Sequence, residues 1–284
     1  MSIVVTGSTG HLGNLVIEGL LEKVPADQIT AVARSEEKAA GFAARGVKVA
    51  IADYDAPETL DGLLSAGDKV LLISGNEIDK GRVAQHTVIL DAAKAAGVAL
   101  LAYTSGPGSL TAALADDHRG TEEAILASGV PYILLRNGWY SENYTEQLAP
   151  VLENNAVVHA AGEGRVASAA RADYAAAAVA VLTGEGHENK TYELSGDVAW
   201  SFSEYAAELS RQTGREIVYN PVSVEDFTGI LAGAGLPGPL AAIIAGVDAS
   251  IEKGELAGTD GTLSRLIGRP TTPIADSIGA ALKG

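Results

Sequence analysis

The first thirteen residues constrain the fold more than any other part of the sequence. A short apolar run, Ile3–Val5, leads through a glycine-containing loop into an amphipathic segment over residues 15–21. The loop reads Thr6-Gly7-Ser8-Thr9-Gly10-His11-Leu12-Gly13. This order predicts a strand, a tight turn and a helix. Glycines at three-residue spacing exceed what the turn needs, and they let backbone N–H groups approach a pyrophosphate at the helix N-terminus. We therefore interpret the loop as a dinucleotide-binding loop rather than as a turn without a ligand.

Composition narrows the class of protein and its partners. The chain of 284 residues contains no cysteine, which excludes disulfides and thiolate metal sites. Its five histidines show no zinc-ligand spacing, so no metal site is predicted. The formal net charge of −16 disfavours nucleic acids and anionic membranes as partners. Since no secretory leader and no apolar stretch of membrane-spanning length is apparent, we expect a cytoplasmic protein.

Short apolar runs alternate with helical patterns through the first half of the sequence. Continuous apolar runs between helices are typical of parallel strands that are covered on both faces. We therefore predict an α/β fold built on a doubly wound parallel sheet of the Rossmann type. After the first strand, the predicted strands are 29–33, 47–52, 70–74, 100–104 and 132–135, and the predicted helices are 36–44, 57–64, 83–96 and 122–128.

After about residue 144 the pattern loosens into shorter elements. The predicted strands here are 157–159, 191–194 and 217–219, and the predicted helices are 174–182 and 203–213. The alanine-rich residues 169–180 favour a close-packed helix. We predict an NADP-binding Rossmann core over residues 1–144 and a smaller C-terminal α/β lobe over residues 145–284, partly interleaved with the core.

Ligands of such sheets lie beyond the carboxyl ends of the strands, and the end of the second strand is the most informative. Arg34 stands there, 21 residues after Gly13, where an acidic residue would select NAD. An arginine can instead pair with a 2′-phosphate, which favours NADPH. Glu36 and Glu37 are interpreted as first-turn charges of the next helix. Asp53 follows the third strand, and its role is left open: it either contacts the adenine or is the N-cap of a helix.

The usual proton donor of a dehydrogenase with this fold is missing from the sequence. That donor is a tyrosine with a lysine four residues later, and none of the nine tyrosines here has one. His118 and Glu122 have this spacing on a predicted helix, and they would share a helix face. His118 could donate a proton, because its ordinary pKa lies near neutrality. The alternative is that His118 lies at an exposed helix N-terminus with ordinary first-turn carboxylates and has no catalytic role. We prefer this alternative to acid catalysis, while still expecting His118 near the cleft.

Residues 134–144 concentrate aromatic and amide side chains after the sixth strand. Aromatic rings with amide neighbours suit a flat ring stacked beside a nicotinamide, and Gly138 permits a sharp turn. We interpret the segment as a site wall rather than as a packed loop. Further along, Arg171 and Asp173 are interpreted as a structural pair that caps a helix beginning at Tyr174.

At these residues the chain resembles the NmrA-like atypical short-chain dehydrogenases. Within them it is similar to the bacterial type 2 NAD(P)H:quinone oxidoreductases, a group close to the triphenylmethane dye reductases. The matching stretches are residues 6–13, 24–29, 102–105, 134–144, 171–174 and 266–272. The resemblance implies NADPH as hydride donor and quinones as acceptors. It also implies cofactor contacts from the glycine loop, Arg34, Ser74-Gly75 and Asn137-Gly138-Trp139-Tyr140. Gly106-Pro107-Gly108 departs from the expected pattern, which leaves acceptor specificity open.

The leading hypothesis for function is NADPH-dependent hydride transfer to a quinone. A quinone takes hydride readily and water can protonate its product, so alignment by the protein suffices, with Tyr140 as a positioning residue. One alternative is an NmrA-like redox sensor that binds NADP without turnover, and another is a reductase of dye or azo acceptors. A nucleotide-sugar epimerase or dehydratase is disfavoured by the missing Tyr–Lys pair. The oligomeric state is left open, a homodimer included.

Overall fold

The structure is a computed structural model that describes residues 2–75, 81–111 and 115–283. The strands are β1 (Ile3–Val5), β2 (Ile29–Ala33), β3 (Lys48–Ile51), β4 (Lys69–Leu72), β5 (Leu100–Ser105), β6 (Tyr132–Asn137), β7 (Ala156–His159), β8 (Arg165–Val166), β9 (Lys190–Leu194), β10 (Trp200–Ser201) and β11 (Val218–Pro221).

Helices connect these strands and dominate the C-terminal third. They are α1 (His11–Leu21), α2 (Glu36–Ala43), α3 (Arg82–Ala96), α4 (Asp116–Ser128), α5 (Glu142–Thr145), α6 (Leu148–Asn154), α7 (Arg171–Thr183), α8 (Phe202–Thr213), α9 (Val224–Gly233), α10 (Gly238–Glu252), α11 (Thr262–Ile267) and α12 (Ile274–Ala281). Within the described ranges, none of them has both the length and the apolar character that crossing a membrane requires.

The central sheet is a seven-stranded parallel sheet in the order β3-β2-β1-β4-β5-β6-β9. Successive strands are added on one side of β1 up to β3 and on its other side from β4 onward, which is the arrangement of a doubly wound fold. Apolar side chains of β1, β4 and β5 are almost completely buried, because helices cover both faces of a parallel sheet. The predicted fold class and all six predicted strands of the first half are therefore confirmed.

The chain groups into two compact units. The first comprises residues 1–106, 117–137 and 171–193, and the second comprises 107–116, 138–170 and 194–284. The predicted division into residues 1–144 and 145–284 differs from this grouping because α7 and β9 return to the first unit. Helix α7 packs on α1, and a side chain at Gly19 would meet Val179 at 2.9 Å. The alanines of α7 allow this close approach.

The core of the second unit is built around the ring of Tyr144. The rings of Trp200, Phe202 and Tyr205 contact it with centroid separations of 5.0, 5.4 and 6.1 Å. Two small sheets accompany this cluster, a parallel pair of β7 with β11 and an antiparallel pair of β8 with β10.

Some predicted helices have different bounds in the structure. The predicted helix 57–64 is a short 3₁₀ turn, Pro57–Leu60, after which Gly62 takes a left-handed φ of +72°. Helix α4 begins at Asp116 rather than at residue 122. The prediction placed its start too late because the first residues of the helix are polar and show no apolar periodicity. Helix α7 begins at Arg171, so Asp173 lies in its first turn, fully buried, rather than in a cap before it.

Gly13 is the residue of the glycine loop on which the packing of α1 depends. A Cβ at this position would lie 2.3 Å from the carbonyl oxygen of Gly7 and 2.7 Å from Cα of Ser8. Both atoms are backbone atoms, so they cannot move aside as a flexible side chain would. We therefore expect Gly13→Ala to lower the free energy of unfolding by about 1–3 kcal/mol, as measured by chemical denaturation.

The matched control is Gly41→Ala in the last turn of α2. Nothing lies within 4 Å of a Cβ built at Gly41. Alanine loses less backbone entropy on folding than glycine, so this variant should gain about 0.5–1 kcal/mol. A Gly13→Ala protein as stable as the unmodified chain would contradict the packing role of Gly13.

Candidate functional site

The glycine loop lies between β1 and α1, with its backbone turned by two hydrogen-bonded glycines. Gly7 has a left-handed φ of +59°, and its carbonyl oxygen accepts from the amide of Gly10 at 3.0 Å. Gly10 is the N-cap of α1 and has no side chain to occupy the amides of the first turn. Gly7, Gly10 and His11 are exposed, whereas Leu12 and Gly13 are buried. The loop therefore presents a bare helix N-terminus, the arrangement that binds a pyrophosphate.

The hydroxyl side chains of the loop hold the loop itself. Ser8 Oγ donates to the carbonyl oxygen of Val32 at 2.8 Å. Thr6 Oγ1 accepts from the amide of Ile73 at 3.2 Å. Both side chains are buried. Of the eight residues predicted to contact the cofactor here, Thr6 and Ser8 are thus placed to fix the backbone, and the exposed backbone of the loop is placed to meet an anion.

Arg34 follows β2 directly and its side chain is exposed. Ser35 is the N-cap of α2, and Glu36 and Glu37 lie in the first turn of that helix, as predicted. Near the same edge, burial raises the pKa of Tyr54 to about 12, and the nearby guanidinium of Arg34 opposes that rise. The structure thus keeps one cation at the end of β2 in a strongly acidic protein.

Asp53 stabilises the turn after β3. Its Oδ1 accepts from the amide of Asp55 at 3.0 Å, and its own amide donates to Thr59 Oγ1 at 2.9 Å. The N-cap of the following 3₁₀ turn is Ala56, so the helix N-cap alternative for Asp53 is wrong. Its contact with adenine stays a prediction.

The chain after β4 is held by side chains instead of by a neighbouring strand. Three consecutive amides donate, one each, to a buried side chain from a different element. They are Ile73 to Thr6 Oγ1 at 3.2 Å, Ser74 to Thr104 Oγ1 at 2.9 Å and Gly75 to His86 Nε2 at 3.2 Å. The predicted cofactor residues Ser74 and Gly75 therefore lie on an organised backbone at the carboxyl edge of the sheet.

His118 lies on α4 with its ring beside Tyr103. Its Nδ1 is 2.9 Å from the hydroxyl of Tyr103. Burial, together with the nearby guanidinium of Arg82, lowers the pKa of His118 to about 4. The imidazole is therefore neutral at neutral pH. The expectation of an ordinary histidine pKa is wrong, and the reason is the enclosed setting next to a cation.

Glu122 is engaged by groups other than His118. Its carboxylate accepts from Ser105 Oγ at 2.5 Å and from Arg136 Nε and Nη2 at 2.9 and 2.6 Å. Such a two-pronged contact between a guanidinium and a carboxylate is strong and geometrically specific. The pair joins α4 to β6, so the spacing of His118 and Glu122 reflects packing of α4 rather than an acid–base couple.

Residues 138–141 of the second unit are fixed by backbone hydrogen bonds. The amide of Gly138 donates to the carbonyl oxygen of Leu194 at 2.7 Å. Ala169 donates to the carbonyl oxygen of Trp139 at 3.2 Å, and Tyr140 forms a parallel bridge with Ala169. Trp139 and Tyr140 keep partly exposed side chains, while Tyr144 is buried in the core of this unit. Trp139 and Tyr140 are thus candidates for the predicted site wall, whereas Tyr144, at the end of the segment 134–144, is part of the core.

The side chains that support the end of β4 were not predicted from the sequence. Thr104 and His86 hold Ser74 and Gly75; Thr104 lies in the matching stretch 102–105 but was given no role there, and His86 lies in none of the matching stretches. The signal that the sequence offers for Thr104 is its position as a polar residue at the end of an apolar strand. Among the described residues, no group of three or more histidine, aspartate or glutamate side chains could hold a metal ion.

Comparison with known proteins agrees with this geometry. Residues 7–185 match the profile of the NAD(P)H-binding family. Quinone oxidoreductase 2 of Escherichia coli strain K12 is 47% identical over 278 residues, which cover 97% of each chain.

Two crystal structures resemble the whole chain. The NADPH-dependent quinone oxidoreductase of Escherichia coli complexed with NADPH superposes with a TM-score of 0.95, at 46% identity and 99% coverage of both chains. The Citrobacter sp. triphenylmethane reductase complexed with NADP(H) gives a TM-score of 0.94 at 43% identity, covering 99% of this chain and 100% of that one. These likenesses confirm the predicted resemblance, and they show that the protein belongs to the NAD(P)H-binding family as a full-length relative of quinone oxidoreductase 2.

Proposed function

We propose that the protein is an NADPH-dependent oxidoreductase that transfers hydride to a quinone acceptor. The observation that carries the proposal is the exposed glycine edge at the N-terminus of α1, on a fold that matches an NADPH-bound quinone oxidoreductase over 99% of its length. This edge offers backbone amides and partial positive charge to a pyrophosphate. The roles of the individual site residues are part of the proposal.

Charge favours NADPH over NADH. In a chain with a net charge of −16, an anionic ligand must be held by local positive groups. Arg34 lies exposed at the end of β2, where the adenosine ribose of a dinucleotide is held in this fold. Its guanidinium can form paired hydrogen bonds with a 2′-phosphate.

Catalysis in this proposal rests on alignment. The bound NADPH would supply the hydride, and the chain binds and orients it. His118 is neutral and engaged with Tyr103, so it offers no imidazolium proton at neutral pH. A reduced quinone can take its proton from water, which makes positioning of donor and acceptor the main task of the protein. Positioning of the acceptor by Tyr140 belongs to this proposal.

A redox sensor that binds NADP without turnover is the second candidate, and the missing Tyr–Lys pair favours it. The two candidates differ in measurable behaviour. A reductase oxidises NADPH when an acceptor is added, whereas a sensor binds NADP and shows no turnover. NADPH oxidation with a panel of quinones, triphenylmethane dyes and azo compounds tests both and ranks the acceptors. Tight NADP binding without turnover on the whole panel would overturn the reductase. A cytoplasmic location stays a prediction, and the oligomeric state stays open, a homodimer included.

Arg34→Ala should weaken NADPH binding far more than NADH binding. A charge-assisted contact with the 2′-phosphate contributes about 1.5–3 kcal/mol, and NADH has no such phosphate. Calorimetric titration with both cofactors measures the difference. Arg45→Ala is the control, since Arg45 is a surface arginine paired with Glu18 and should affect both cofactors little. Equal losses for both cofactors in Arg34→Ala would contradict the assignment.

Gly10→Val should abolish dinucleotide binding while the fold stays largely intact. A Cβ at Gly10 would meet only the carbonyl oxygen of Gly7, at 3.3 Å, so the protein itself tolerates a side chain there better than at Gly13. The added isopropyl group would occupy the space in front of the first-turn amides. Calorimetry and circular dichroism together check this result. Unchanged cofactor affinity would mean that Gly10 serves the turn alone.

His118→Ala should lower kcat by less than the factor of about 100 to 10,000 that general acid catalysis contributes. With a pKa lowered to about 4, the imidazole does not change charge near neutral pH. Steady-state rates across pH for the wild type and the variant measure both points. A loss within that range, with disappearance of a titration near neutral pH, would identify His118 as the proton donor.

Trp139→Ala and Tyr140→Ala should each lower the rate more than His118→Ala. Their large, partly exposed rings are proposed to align the acceptor, and small misplacements of reacting groups are costly. Rates measured under the same conditions for the three variants provide the comparison. Full activity of both aromatic variants would rule out the proposed wall.

A further inference from the structure

A buried histidine on α3 contacts the strand end at which cofactor contacts are predicted. The side chain of His86 is 1% exposed. Its Nε2 accepts from the amide of Gly75 at 3.2 Å, and its Nδ1 lies 2.9 Å from Thr121 Oγ1. The imidazole thus joins the end of β4 to helix α4.

The hydrogen bonds fix which nitrogen of His86 carries the proton. Because an amide can only donate, Nε2 must be unprotonated, and a neutral imidazole then carries its proton on Nδ1. Nδ1–H therefore donates to Thr121 Oγ1. The hydroxyl of Thr121 in turn donates to the carbonyl oxygen of Asp117 at 2.9 Å. All donors point in one direction, from Gly75 through His86 and Thr121 to the backbone of α4.

The surroundings keep His86 in this neutral form. Burial, together with the charge of Arg82 on the first turn of α3, lowers the pKa of His86 to about 3. A second proton on the ring would remove the acceptor of the Gly75 amide. The ring of Tyr103 contacts the imidazole in an edge-to-face arrangement at a centroid separation of 5.3 Å, which helps to hold the orientation of His86.

We propose that His86 is a positioning residue for the dinucleotide. It holds the amide of Gly75, and together with Thr6 and Thr104 it fixes the backbone of residues 73–75 before the cofactor arrives. The inference rests on the proposed function, since it assumes that this strand end meets NADPH. A binding segment that is ordered in advance avoids the entropic cost of ordering it on binding.

Substitution of His86 tests the proposal. His86→Phe keeps a buried ring but leaves the amide of Gly75 without its acceptor, and it should weaken NADPH binding by about 5- to 100-fold. In His86→Gln the amide oxygen can accept from the amide of Gly75, and the NH₂ group can donate to Thr121 Oγ1. This variant should therefore bind NADPH with an affinity within about threefold of the wild type. Thr121→Val removes the acceptor of Nδ1–H and should give an intermediate loss, which provides a second route if His86→Phe folds poorly.

Leu90→Ala is the matched structural control. Leu90 is buried on the same helix and packs in the core of the first unit. It should lower the melting temperature without changing the NADPH dissociation constant of the folded protein. Hydrogen exchange of the Gly75 amide in the unliganded protein should be faster in His86→Phe than in Leu90→Ala.

The outcomes separate this inference from the proposed function. Wild-type protein that fails to bind NADPH would overturn both. Wild-type protein that binds NADPH, with His86→Phe binding it equally well, would overturn the positioning role alone. Equal weakening by His86→Phe and Leu90→Ala, or failure of His86→Gln to restore affinity, would reduce His86 to a general packing residue and so also overturn the role.

Discussion

The close approach of helix α1 to the turn that precedes it is the constraint on which the first unit depends. Gly13 lies against the backbone of Gly7 and Ser8, with no space for a methyl group. This approach brings the first-turn amides of α1 to the carboxyl edge of the sheet. It also lets the other side of α1 pack on α7, where Gly19 faces Val179. One short loop therefore sets both the exposed helix N-terminus proposed to bind the dinucleotide and the packing of two helices.

The architecture of the first unit could be predicted from sequence because its signals are local. Continuous apolar runs correctly predicted the strands from β1 to β6, and Glu36 with Glu37 marked the first turn of α2. The 3₁₀ turn after β3 was predicted as a helix because apolar spacing over eight residues does not distinguish a short turn from a helix. An interleaving of the C-terminal lobe with the core was predicted, but not that α7 and β9 are the interleaved elements, because nothing local in those segments identifies their packing partners.

The candidate site was predictable only where a residue type itself carries the chemistry. Glycines at the turn and an arginine at the end of β2 are such residues. His118 and Glu122 show the opposite case, since their spacing suggested a pair while the structure gives them separate partners, Tyr103 and Arg136. His86 had no sequence signal, because its role depends on contacts with Gly75 and Thr121, which lie 11 and 35 residues away.

The chain order of the first unit has a consequence for how such a protein is made and how it can evolve. Its three segments end only at residue 193, while the intervening segments belong to the second unit. During synthesis, the face of α1 that packs on α7 stays uncovered until α7 has left the ribosome. The first unit therefore cannot be completed as an early, independent module. Recombination with a single breakpoint after β6 would likewise separate α1 from α7. Exchange of the whole first unit between proteins is therefore unfavourable. Substitution within surface loops is the easier route to new acceptors.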